Sequence, residues 1–81
     1  MDEIVPGLAV TPAYSPSGNI AGYLIVHIPS GGKWLDSFSI YHRAVEAIQE
    51  LAQLGDWTKS EKSVVRFGKR RVRAILQKHQ F

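Results

Sequence analysis

Three short apolar segments separated by turn residues make up the first half of the chain. They span Leu8–Tyr14, Ile20–Ile28 and Lys33–Phe38. Alternating side chains along such segments, with Pro, Gly, Asn and Ser between them, are typical of β-strands joined by tight turns. The pattern predicts a three-stranded antiparallel meander. Because Pro12 cannot donate a hydrogen bond within a sheet, the first strand is expected at an edge.

A helical period replaces this alternation after Ser39, which is predicted to cap the helix. The apolar residues then recur at steps of three and four: Tyr41, Ala44, Val45, Ile48, Leu51 and Ala52. Such spacing places them on one face of a helix. Gly55 follows at a position where helices commonly end.

The last third of the chain predicts a second helix from about Ser60 to Lys78. It is preceded by Thr58-Lys59-Ser60-Glu61, which has the spacing of a capping box. One arc of this helix is apolar and includes Val64, Val65, Gly68, Val72, Ile75, Leu76 and His79. Gly68 would mark close approach to a neighbouring element. The alternative is a hairpin of Ser63–Phe67 and Arg70–Leu76 around a Gly68-Lys69 turn; the separated arcs favour the helix.

The order of these elements predicts an α+β fold, β-β-β-α-α, whose second helix is basic. Residues 1–7 are expected to form a flexible N-terminal arm and residues 8–81 a single small domain. With 81 residues and no Cys, the domain depends on a small packed core or on a partner. The acidic start of the chain is unlike a targeting signal, and no apolar run is long enough to span a bilayer. A cytoplasmic protein without membrane contact is therefore expected.

Charge divides the chain at Trp57. Residues 57–81 hold eight Lys or Arg and one acid, a net charge of +7, whereas residues 1–56 hold two bases and six acids, a net charge of −4. A separation of this size indicates either a surface for a polyanion or attraction between the two halves of the chain.

Six of the eight cations fall on one arc of the predicted second helix, opposite its apolar arc: Lys59, Lys62, Arg66, Lys69, Arg70 and Arg73. Such a stripe can contact several phosphates and release their counterions, which gives salt-sensitive binding. Arg71 and Lys78 lie off the stripe. Tyr23 and Trp34 are expected to pair across neighbouring strands and form a secondary contact surface, unless they belong to the core.

The sequence shows no catalytic, metal-binding or phosphate-binding motif. His27, His42 and His79 lack the paired spacing of a metal site, and His27 is expected to be a hydrogen-bonded sheet residue. Ser30-Gly31-Gly32-Lys33 lacks the spacing of a phosphate-binding loop. We therefore predict no catalytic residue, no metal, no cofactor and no enzymatic activity.

Trp34-Leu35-Asp36-Ser37-Phe38, followed by Arg43-Ala44-Val45-Glu46-Ala47, resembles part of the AP2-type and integrase N-terminal DNA-binding domains. The resemblance covers residues 34–47 and implies a three-stranded sheet packed on an Ala-rich helix. In those families the exposed face of the sheet enters the major groove, and its first two strands carry Arg and Trp. Here residues 8–28 contain no Lys or Arg, so the charge pattern places the contact on the second helix.

These observations predict a small non-enzymatic nucleic-acid-binding or regulatory protein that uses its basic second helix. DNA is the expected nucleic acid, and a phage or mobile element is the expected origin. The alternative is a protein-protein inhibitor or adaptor whose basic helix docks on an acidic surface. A homodimer through the Leu8–Tyr14 edge or the apolar arc of the second helix is a third interpretation.

Overall fold

Within the described residues, 2–59 and 68–80, an antiparallel sheet of four strands packs against two helices. This description comes from a computed structural model, which for Lys33 and Trp34 describes the backbone. The strands lie across the sheet in chain order: β1 Asp2–Val5, β2 Leu8–Tyr14, β3 Ile20–His27 and β4 Lys33–Phe38. The helices are α1 Tyr41–Leu51 and α2 Lys69–Lys78, and 3₁₀ turns span Ile28–Ser30 and Ala52–Leu54. The predicted α+β class is confirmed.

The prediction of a three-stranded sheet is wrong, because the described chain adds β1 from the segment assigned to a flexible arm. Gly7 adopts a φ of +95° and helps to turn the chain back, so that Asp2 pairs with Val10 and Val5 with Leu8. A four-residue strand with two acids gives too short a pattern to detect. Because β1 pairs with the start of β2, that part of β2 is an interior strand and not the predicted edge strand. Pro12 lies beyond Val10, the last β2 residue that pairs with β1 in the described chain.

The core lies between the sheet and the helices. Its buried cluster consists of Leu8, Val10, Ile25, Phe38, Ala44, Ala47, Ile48, Leu51, Trp57, Val72 and Leu76. The apolar face predicted for α1 supplies three of these, whereas Tyr41 at its start remains 38% exposed. The N-cap of α1 is Ile40 without a side-chain hydrogen bond, so the predicted cap at Ser39 is wrong. Burial of the apolar face, rather than a cap, stabilises this helix.

The second helix is present but begins at Lys69, later than predicted. Gly68 precedes it with φ +92° and ψ 118°, which no α-helix can contain. One helix through Gly68 is therefore wrong, and so is the hairpin, because Arg70–Leu76 is helical. A Cβ at Gly68 would come no closer than 3.9 Å to the Arg71 side chain, so its backbone angle, rather than close approach, favours glycine. The predicted helical residues 60–67 lie outside the described chain.

Trp57 joins the sheet to the end of α1. Its side chain is 2% exposed, and its indole Nε1 donates to the carbonyl oxygen of Leu51 at 2.7 Å. His27 Nε2 donates to the Trp57 carbonyl oxygen at 2.9 Å, and the two rings meet edge to face. His27 is 1% exposed, and the hydrogen-bonded sheet histidine expected from the sequence is confirmed.

Glu50 joins α1 to the end of α2. Its Oε1 accepts from His79 Nε2 at 2.9 Å and from Lys78 Nζ at 3.0 Å. These hydrogen bonds, first from His79 and then from Lys78, hold the pKa of Glu50 below its ordinary value of 4.5. A carboxylate with a lowered pKa stabilises the fold above its ordinary pKa, and this stabilisation is lost as the pH falls through the folded value.

Substitution of Gly7 tests the contact beneath Trp57. A Cβ at Gly7 would lie 2.1 Å from the Trp57 carbonyl oxygen, and the residue also has a positive φ. We expect Gly7→Ala to lower the free energy of unfolding by about 3 kcal/mol, measured by urea denaturation. Gly18→Ala is the matched control, because Gly18 has φ +88° with open space around its Cβ position; it should lose only about 1 kcal/mol. Equal losses would contradict a packing role for Gly7.

Substitution of Glu50 tests the link between the helices. Glu50→Gln should lower the free energy of unfolding near pH 7, and the difference from wild type should shrink as the pH falls below about 4. Thermal unfolding across this range is the measurement. Glu46→Gln is the control, because the ion pairs that Glu46 forms with described residues are with His42 and Arg43 of its own helix; it should show a smaller difference. A Glu50→Gln difference that persists unchanged at about pH 3 would contradict the role of its charge.

Candidate nucleic-acid interface

Helix α2 presents cations to solvent because its apolar residues hold one side against the core. Val72 and Leu76 are 3% and 4% exposed, and Ile75 packs partly against the same cluster. At 100° per residue the remaining positions turn outward. The first five residues of α2 therefore form what we call the basic surface, made of the exposed side chains of Lys69, Arg70, Arg71 and Arg73.

The structure brings together only some of the predicted site residues. Lys69, Arg70 and Arg73 lie on the basic surface, within about 6 Å along the helix axis. Lys59 is exposed but precedes the break at Gly68, and Lys62 and Arg66 lie outside the described residues. The stripe of six cations on one continuous helix is therefore wrong.

Arg71 was assigned off the predicted stripe but belongs to the basic surface. The helix begins only at Lys69, so its first turn holds three consecutive cations. The angle of Arg71 around the helix is the same for either starting residue, so the helical wheel did not reveal that it lies in the first turn. The glycine at position 68 was the sequence signal for an interrupted helix, and its φ of +92° confirms the interruption.

The acidic half of the chain does not neutralise the basic surface within the described residues. Lys78 pairs with Glu50 and Arg43 lies at 4.0 Å from Glu46. Of the described acidic side chains, none lies within 4 Å of a cation of the basic surface. Intramolecular attraction thus accounts for Lys78 at the end of α2 but not for the cations at its start.

The helix dipole does not explain these cations either. A helix N-terminus carries partial positive charge and is stabilised by acids, whereas the first turn of α2 has no acid and no side-chain cap. Three cations at this end repel one another and the dipole. Their placement costs helix stability, which an external anion would offset.

A groove of about 560 Å³ runs between α2 and β4, beside the basic surface. The α2 wall carries Lys69 and Arg73, and the β4 wall carries Asp36. Asp36 pairs with the core residue Ile25, and paired residues share a face of the sheet, so its side chain lies on the helix side. Gln80 Nε2 donates to the Ser37 carbonyl oxygen at 3.3 Å, which links the end of the chain to β4.

The register of β4 determines whether the two aromatic residues of the predicted secondary site face each other across neighbouring strands. Trp34 pairs with Val26 and Tyr23 with Phe38, so Tyr23 and Trp34 are not cross-strand partners as predicted. Tyr23 is half-buried and meets Tyr41 edge to face at 5.4 Å between ring centroids. The Trp34 side chain lies outside what the structure describes. The secondary contact surface formed by both aromatics therefore stays a prediction.

Two searches of the described residues concern metal ions and membrane-spanning helices. No group of three or more His, Asp and Glu side chains among them is placed to hold a metal ion. Neither described helix has the length and apolar character needed to cross a membrane.

Comparisons of the chain with protein-family models, curated proteins and solved structures found no match. The resemblance of residues 34–47 to AP2-type and integrase N-terminal domains therefore stays a prediction. Any inference about function rests on the charges and contacts of the chain itself.

Proposed function

We propose that this protein binds nucleic acid, with DNA as the expected form, through the basic surface and without enzymatic activity. The observation that carries the proposal is a set of exposed cations, crowded at the start of α2, that no described acid neutralises. Lys59, Lys62 and Arg66 belong to the same basic segment of sequence and would add further contacts. A regulatory role and an origin in a phage or mobile element belong to the same proposal.

Crowded cations suit a phosphate backbone. Each duplex strand presents a phosphate about every 3.4 Å along its axis, so cations spread over about 6 Å can meet adjacent phosphates. Three of the four are arginines, whose planar guanidinium groups donate two parallel hydrogen bonds to phosphate oxygens. Contacts of this kind position the protein but do not distinguish base sequences.

An acidic protein surface is the alternative partner for the same cations. Carboxylates also accept paired hydrogen bonds from arginine, so the basic surface alone does not separate the two. Capture of one stoichiometric protein that survives nuclease treatment, combined with no binding to oligonucleotides, would favour the alternative.

The test compares two variants of equal net charge. K69Q/R70Q/R73Q removes three cations from the basic surface, and S17D/N19D/R43Q lowers the net charge by the same three units at exposed positions in the β2–β3 turn and on α1. Fluorescence anisotropy with a DNA duplex should show affinity falling steeply with salt for wild type. The first variant should bind about 10- to 100-fold more weakly at low salt, and its slope of log affinity against log salt should be shallower by about 1 per lost phosphate contact.

The control variant separates local contacts from overall charge. S17D/N19D/R43Q should keep most of the wild-type affinity and salt slope, because none of its changes lies on α2 or lines the groove beside it. Equal weakening in both variants would show that net charge alone drives binding. An absence of binding to duplex and single-stranded oligonucleotides at low salt would overturn the proposal.

A further inference from the structure

We infer that the groove between α2 and β4 receives a nucleotide of a single-stranded nucleic acid, with its phosphate on the α2 wall and its base on the β4 wall. The inference rests on the proposed function and specifies which form of nucleic acid the protein prefers. Its basis is that side chains of opposite charge line the two walls of an open groove of nucleotide size.

The groove has the size of a small-ligand site. Its volume of about 560 Å³ falls within the range of roughly 300–1,000 Å³ that is usual for such sites. Leu35 is the half-buried apolar side chain of the lining, and the buried Val72 and Leu76 lie beneath it. Leu35 is available for this because the register shifts between Ile25 and Val26, which leaves Leu35 as an extra residue in β4. Its side chain can contact the face of a base by van der Waals packing.

Charge divides the two walls. Lys69 and Arg73 on α2 are exposed and have no acid within 4 Å among the described residues. Asp36 on β4 is half-buried, and its Oδ1 accepts a hydrogen bond from the next backbone N–H, that of Ser37, at 2.8 Å. A carboxylate can accept about four hydrogen bonds, so Asp36 retains capacity towards the groove.

A nucleotide satisfies both walls at once. Its phosphate would bind Lys69 and Arg73, and an amino group on its base would donate to Asp36, as the cytosine N4 amino group does to carboxylates. Gln77 lies on the α2 wall and offers an amide that both donates and accepts. An acidic peptide fits less well, because its carboxylates would meet the charge of Asp36. A paired base cannot enter the groove, so the strand must be single.

The test measures the binding of oligo-dC and oligo-dT of equal length. Thymine lacks the exocyclic amino group, so wild type should bind oligo-dC about tenfold more tightly. Asp36→Asn should bring this ratio close to one. Because Asp36→Asn removes a negative charge and raises affinity for every oligonucleotide, the dC-to-dT ratio, rather than either affinity, is the readout. Glu46→Gln changes the net charge equally on α1 and should keep the wild-type ratio.

A second measurement uses the wild-type protein, so that its result does not depend on whether the Asp36→Asn variant folds. Addition of oligo-dC should shift the backbone amide NMR signals of Leu35, Asp36 and Gln77 more than that of Gln49 on the exposed face of α1. Any of three results would overturn this inference: a dC-to-dT ratio near one in wild type, a ratio unchanged by Asp36→Asn, or unperturbed NMR signals of the groove residues. The proposed function would still stand if the protein bound a DNA duplex. Failure of every oligonucleotide to bind would overturn both.

Discussion

The burial of Trp57 is the constraint on which the rest of this small structure depends. Its indole N–H and its carbonyl oxygen both need partners once they leave water, and they find them in Leu51 at the end of α1 and His27 at the end of β3. The backbone at Trp57 passes so close to Gly7 that a side chain there would collide with it. One residue thereby ties the helix to β3 and to the β1–β2 turn. In a chain without Cys, such a satisfied polar anchor does part of what a disulfide does in other small domains.

The charged residues of α2 fall into two groups, those that stabilise the fold and those that face solvent. At its end, Lys78 and His79 share the carboxylate of Glu50, which secures α2 against α1. At its start, the cations of the basic surface have no acidic partner in the described chain and oppose the helix dipole. Some of the cations in the basic half of the sequence therefore form ion pairs within the fold. The cations that do not form such pairs are the physical reason to expect an anionic partner.

The groove beside α2 follows from the sheet rather than from the helix. Asp36 lies opposite Ile25 in regular register with Phe38, on the face that carries the helices, and the register shift that follows leaves Leu35 as an extra residue in β4. This places a carboxylate across from Lys69 and Arg73. Side-chain alternation puts Asp36 on the same face as Phe38, but the packing of α2 over that face depends on tertiary contacts.

The sequence by itself determined the elements whose signals are local. The strands β2, β3 and β4 and the core face of α1 follow from side-chain alternation, turn residues and helical period over a few neighbouring positions. It also identified His27 as a sheet residue and Lys69, Arg70 and Arg73 as exposed cations. Only the tertiary structure decided that β1 forms, that α2 begins at Lys69 and that Tyr23 pairs with Phe38. It also decided which cations lack an acidic partner among the described residues. These depend on contacts between distant residues, such as Gly7 with Trp57 and Glu50 with His79, whose energies no local pattern contains.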